Sequence, residues 1–273
     1  MITIGKYKNR KTHIMNNLTK IIVVLLFGLF FVSCHMTKSE NYDYSKDPKI
    51  SNAQGIPKDS ITFYFPTSIR QDTGIVKTGI DTFMLNWFSS ALYSAKEPIL
   101  NNYYLGHDIY RFLWLRSFHR PVVISLHKDG NKVWLTTKEL DRQPEFMDRL
   151  RPIKYIAPKI LPNEDYDTTE LKDIKEPKRE VIKRADRKAD IIFNQTKKLT
   201  EKDWTEFETL LSNCSFWNSK PYIEESGFDG SEWTIEGHLK NKYWFVNRWT
   251  PKGDFRKAGE FLIKKSEFKE EIY

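Results

Sequence analysis

Glu236, His238 and Arg248 are the residues whose types and spacing best suit chemistry in this chain. They fall within one predicted hairpin, Trp233–Trp249. A three-residue turn at Lys240-Asn241-Lys242 projects all three from one polar face, beside Trp244 and Val246. A carboxylate, an imidazole and a guanidinium within reach of each other can bind an anionic or sugar-like ligand, or hold an acid–base pair. The competing reading is a cross-strand Glu–Arg pair with a bystander histidine. A second acidic group, Glu224, Glu225, Asp229 and Glu232, lies in a stretch punctuated by Gly227 and Gly230. Carboxylates about 5–10 Å apart are what glycoside hydrolysis requires, and Trp217, Tyr222 and Trp233 can stack on sugar rings. Loops of this composition are also ordinary turns, and the regular alternation of oxygen ligands in a calcium loop is missing.

The remaining motifs of catalysis are absent. The sequence holds no G-x-S-x-G, H-E-x-x-H, phosphate-binding loop or G-x-G-x-x-G. His35, His107, His119, His127 and His238 include no pair four residues apart, so no local zinc site and no cofactor is expected. His127 is expected on the polar face of a hairpin. The two cysteines are Cys34 and Cys214. Cys214, near a helix end and beside Phe216 and Trp217, reads as a buried inert thiol, since no activating partner adjoins it.

These residues need elements to hold them. The strongest local pattern is Val122–Lys138, where Asp129-Gly130 suits a two-residue type I′ turn. That turn pairs Leu126 with Val133 and Ile124 with Leu135, and on the other face His127 with Lys132 and Ser125 with Trp134. Ile109–Arg116 is apolar on both faces and reads as a central strand. Ile61–Phe65 reads as a strand from its β-branched and aromatic content. Asp81 is placed to cap a helix carrying Phe83, Met84, Trp87, Phe88 and Leu92 on one face. Asp190–Phe193 predicts a strand. Thr200 and Asp203 form a variant capping box before a helix with Trp204, Phe207, Leu210 and Leu211 inward. On the second hairpin, Trp233, Ile235, Gly237 and Leu239 share a face with Tyr243, Phe245 and Trp249. Ala258–Phe268 predicts a closing helix with Phe261, Leu262, Lys265 and Phe268. Hairpins with a few helices indicate an α+β fold with a mostly antiparallel sheet. The expected organisation is two α+β lobes, 59–150 and 188–273. Between them lies a charged, Pro-containing connector, 151–187, with a short helix in Arg179–Lys188.

The amino terminus is of another kind. Twelve mostly apolar residues, Ile21–Val32, follow Lys20 and precede Ser33-Cys34. A spanning helix needs about 20 apolar residues, whereas a basic start, a short apolar run and a small residue describe a secretory signal peptide. Phe31-Val32-Ser33-Cys34 resembles the lipobox of bacterial lipoproteins, with Phe31 where leucine is usual. The resemblance implies removal of residues 1–33 and acylation of Cys34, with 34–58 as a flexible tether. Met15 begins a more compact signal and is the expected start. In that family the residue after the cysteine influences sorting; His35 is not the aspartate linked to inner-membrane retention, which favours an outer membrane where one exists. With Cys34 acylated, Cys214 has no partner for an internal disulfide.

Processing also changes the charge. The whole chain carries 44 basic and 36 acidic residues, formally +8. Lys6, Lys8, Arg10, Lys11 and Lys20 leave with the leader and no carboxylate leaves with them, so the remainder is +3. That balance gives no reason to expect nucleic acid.

A further stretch, Gly227–Gly237, then Lys242–Pro251 and Gly259–Ile263, resembles a pattern recurring in bacterial proteins without an assigned activity. It implies a recurring fold unit and transfers no catalytic residue. The expectation is a membrane-anchored envelope lipoprotein that binds a protein or glycan partner without catalysis. The alternatives are an envelope glycan hydrolase using carboxylates near Asp229–Glu236, and an inhibitor or immunity-type protein.

Overall fold

The computed structural model describes residues 42–71, 74–144, 189–225, 227, 229–269 and 272. The leader, Cys34, the proposed start at Met15 and the connector 151–187 with its short helix lie outside them. The fold is α+β. A six-stranded antiparallel sheet runs in the order β6-β5-β4-β3-β7-β8. Its strands are β3 (Asp108–Arg116), β4 (Val122–Asp129), β5 (Lys132–Leu140), β6 (Ile191–Leu199), β7 (Ser231–Leu239) and β8 (Lys242–Trp249). A small hairpin, β1 (Ser68–Gln71) with β2 (Gly74–Lys77), precedes it. The described helices of three turns or more are α1 (Thr82–Ser94), α2 (Glu201–Asn213) and α3 (Gly253–Ser266).

The segments expected as two lobes share this one sheet. β7 pairs with β3, and β6 pairs with β5. The reason lies in β3, which is buried along both faces and hydrogen-bonds along both edges. A strand of that kind needs neighbours on each side, and the second neighbour comes from the carboxy-terminal half. Residues 42–58, expected to belong to the flexible tether, pack on the fold instead. Tyr44 is buried, and Asn102 accepts from the Ser45 hydroxyl at 2.6 Å and donates to the Ser51 hydroxyl at 2.8 Å, fastening residues 42–58 to the fold.

Local signals fixed the helix starts. The Asp81 side chain accepts from the Met84 amide, and Thr200 and Asp203 complete a reciprocal capping box. The buried stripe of α1 is Met84, Leu85, Phe88, Ala91 and Leu92, with Phe83 turned outward at 49 % exposure. Packing of Phe88 on Phe65 chooses that face. Ile61–Phe65 is not a strand but an irregular segment. Tyr64 and Phe65 are buried within it, and the Tyr64 amide donates to the Ser89 hydroxyl. β6 extends to Leu199 because β5 pairs with it along its length. In α2, Trp204, Phe207 and Leu211 are buried and Leu210 is half-buried. α3 starts before the expected Ala258, and Phe261 and Leu262 face inward as read.

The sheet separates two layers. One face, here face A, carries Arg111, Ser125, Glu236, His238 and Phe245, and is covered by residues 42–105 with α1. The opposite face B carries Tyr110, Phe112, Trp233 and Ile235 beneath α2 and α3. Gly259 is required in α3, since a Cβ there would stand 2.3 Å from the Trp233 ring.

Candidate functional site

The second hairpin turns through two residues, Lys240 and Asn241, with Leu239 opposite Lys242. Glu236 therefore faces Phe245 and His238 faces Tyr243, whereas Arg248 faces Trp233 and Trp244 faces Gly237. The expected constellation divides. Glu236 and His238 lie on face A; Arg248 and Trp244 lie on face B. The three-residue turn rested on polar–apolar alternation, and β7 is buried at every position. With both faces covered, alternation carries no information about register.

Glu236 is part of a buried ion network. Arg111 donates through Nε at 3.0 Å and through Nη2 to the same carboxylate oxygen, and Tyr243 donates to the other at 2.8 Å. Arg111 Nη1 also donates to the Pro98 carbonyl at 2.6 Å and lies 3.6 Å from Glu97. Lys138 Nζ closes the set, 2.7 Å from Glu97 Oε1 and 2.9 Å from the Ala95 carbonyl. Two acids and two bases balance, as buried charges require. Burial pushes the Glu236 carboxyl up, while Arg111 and Tyr243 pull it down, leaving it raised overall. Burial likewise opposes the Arg111 charge, and Glu236 with Glu97 more than compensates, holding it above its usual value. Every group aimed at Glu236 is a donor, so the ionised pair is the state this geometry holds.

His238 is a positioning group for a loop. The Leu105 amide donates to Nε2 at 3.1 Å, so Nδ1 bears the hydrogen, which it gives to the Leu100 carbonyl at 2.7 Å. Tyr44 stands 3.1 Å from Nδ1, and Tyr104 stacks on the ring at 5.3 Å. Burial lowers the imidazole to about 4. It is neutral, fully bonded and covered, with no lone pair left for a substrate.

Arg248 and Trp244 perform a similar task on face B. Arg248 donates to the Lys220 carbonyl at 3.0 Å, and the Trp244 indole donates to the Ser219 carbonyl at 3.0 Å. Together they staple residues 219–220 against β8.

The second acidic group also separates. Glu224, Glu225 and Asp229 are exposed, and Glu232 is buried. Burial pushes the Glu232 carboxyl up to about 7, against the opposing hydrogen bond from Asn247 Nδ2 at 2.8 Å. Trp249 packs into the loop, where a Cβ on Gly227 would lie 2.2 Å from its indole nitrogen. Trp233 is fully buried and Trp217 lies under the Lys242 ammonium at 4.1 Å, so neither offers a free ring face like the one expected for sugar. Cys214, expected buried, is half-buried; its thiol donates to the Leu211 carbonyl at 3.3 Å, and burial raises it.

One grouping escaped the sequence reading. The first hairpin turns at Gly130-Asn131, with Asp129 opposite Lys132, Leu126 opposite Leu135 and Ser125 opposite Thr136. Gly130 takes φ +54°, the positive value a two-residue turn of type II′ asks of its first position. The expected pairing is displaced by two residues, so each side chain keeps its face but changes its neighbour. His127 now lies opposite Trp134, with rings 4.9 Å apart and 2° from parallel. His107 Nε2 approaches His127 Nδ1 at 3.1 Å, and Thr136 approaches its Nε2 at 3.2 Å. Burial, then His107, lowers His127 to about 3. Reading Gly130 rather than Asp129 as the first turn residue would have found this pair.

Ser117–Arg120, Glu139 and Asp141–Gln143 line an open cavity of about 470 Å³. Gln143 is engaged there, donating to the Arg116 and His119 carbonyls and accepting from the Trp87 indole at 3.1 Å. Among the described residues, no three His, Cys, Asp or Glu side chains are arranged to hold a metal ion. No protein-family model, curated protein or solved structure matches the chain.

Proposed function

We propose that this protein is a lipid-anchored envelope protein that binds a protein or glycan partner rather than transforming one. The observation that carries the reading is how the best candidates for chemistry are used. Glu236 and His238 are bonded inside the core, while face A is half-buried at Trp134 on β5 and exposed on β6. Aromatic side chains of that kind are the usual anchors of binding surfaces.

Anchoring rests on the apolar run ending before Cys34. Acyl chains there, at about 0.8 kcal/mol per buried methylene, hold a protein to a bilayer. Among the described residues no helix is long and apolar enough to cross a membrane. The test compares the full chain with Cys34→Ser in cells fed a palmitate analogue. The parent should be labelled and sediment with membranes, and the variant should do neither; a variant still firmly held would overturn the anchor. Binding is tested with the detergent-solubilised chain as bait in envelope extract. A specific protein or glycan should be retained, and repeated blanks would reject the reading. An inhibitor or immunity-type protein is the same proposal with one secreted toxin as partner.

A second reading, hydrolysis of envelope glycan, draws on Glu232, whose carboxyl at about 7 is suited to donate a proton near neutrality. Glu232→Gln and Asp229→Ala should then abolish turnover while the fold persists.

A further inference from the structure

We infer that face A of β5 and β6 is a binding shelf for an acidic saccharide. This deepens the binding reading proposed above and rests on it. Three rows of side chains cross the sheet from β8 to β6. The first runs Tyr243, His238, Ile109, His127, Trp134, Lys198; the second runs Phe245, Glu236, Arg111, Ser125, Thr136, Thr196. The third ends in Val123, Lys138 and Asn194. Each row begins buried, is half-buried by β5 (in the first row already at His127 on β4) and is exposed at β6. Glu97 of the covering layer is fastened to the sheet by Lys138, and on β6 face A is an exposed floor.

The floor has the chemistry of a sugar platform. Trp134 offers a half-buried indole held by His127 in parallel contact and by His107 at 5.4 Å, so little rotamer freedom remains to be lost on binding. Thr136 and Thr196, one row along from the ring, and Asn194, two rows along, supply hydroxyl and amide groups. On this face the charged residues of β5 and β6 are Lys132, Lys138 and Lys198, with no carboxylate. Lys138 is paired with Glu97. Lys132 and Lys198 flank Trp134 and make no ion pair among the described residues, although Asp129 lies opposite Lys132 on β4. A hexuronate ring on the indole with its carboxylate toward Lys198 matches both features. A nucleic-acid strand is the poorer match, because successive bases ask for successive aromatic rings, and this floor has one.

The test titrates the full chain in detergent with a polygalacturonate oligosaccharide, and with a neutral gluco-oligosaccharide of the same length, by calorimetry. The acidic ligand should bind and the neutral one should bind at least about tenfold more weakly. Lys198→Glu, an exposed change that leaves the core untouched, should weaken the acidic ligand about tenfold or more, and Trp134→Ala should do the same. Failure of the parent to bind the acidic ligand overturns the inference, as does binding that both variants retain or a preference for single-stranded DNA. The bait experiment separates the two proposals: a partner retained there by the parent and both variants keeps the binding reading and rejects this shelf.

Discussion

Replacing Glu232 by glutamine removes a titrating proton from the interior and keeps a partner for Asn247. In the folded protein burial lifts this carboxyl from 4.5 to about 7, while the unfolded chain titrates near the ordinary value. Between those values the folded state holds a proton that the unfolded state has released. The stability Glu232 contributes is therefore complete below about pH 4.5 and is lost as pH rises through about 7. At about 1.4 kcal/mol per pH unit, that interval amounts to about 3 kcal/mol. Glu232→Gln carries no such dependence, so its stability relative to the parent should improve by about that amount from acid to mildly alkaline solution. Urea unfolding followed by tryptophan fluorescence, on both proteins across that range, measures the difference directly. Effects of all other titrating groups cancel in the comparison. A difference that stays flat with pH would show that Glu232 ionises freely in the fold, refuting the link drawn here between its burial and its proton.

His238 predicts the opposite slope. With its imidazole lowered from 6.5 to about 4, the parent should lose about 3 kcal/mol as pH falls through that window, and His238→Gln should flatten this acid limb in the same unfolding series. Arg111→Met leaves the Glu236 carboxylate buried without its guanidinium, which should cost about 3–5 kcal/mol by chemical denaturation. Arg111→Met with Glu236→Leu should recover most of that loss, and a single variant as stable as the parent would discount the ion network. Gly259→Ala places a methyl group 2.3 Å from the Trp233 ring. A lowered melting temperature equivalent to about 1–3 kcal/mol is expected; an unchanged one would mean that α3 can shift from the sheet at no cost.

What the amino-acid order determined by itself was local. The caps at Asp81 and Thr200 join residues three apart, so their geometry is contained in a single turn of chain. The doubly apolar run of β3 states that it must be central, and each hairpin announces itself through two strand-like runs around a short polar break. Tertiary structure decided everything that depends on a distant partner. Arg111 and Glu236 are 125 positions apart, and only their meeting turns a candidate acid into a core ion pair. The register of the second hairpin was also settled from outside, because residues 42–105 and the helices cover both faces of β7 and erase the alternation from which register is read. For the same reason Ile61–Phe65, strand-like in composition, packs without pairing: β propensity describes a side chain suited to a covered surface, and another layer of this fold supplies that cover.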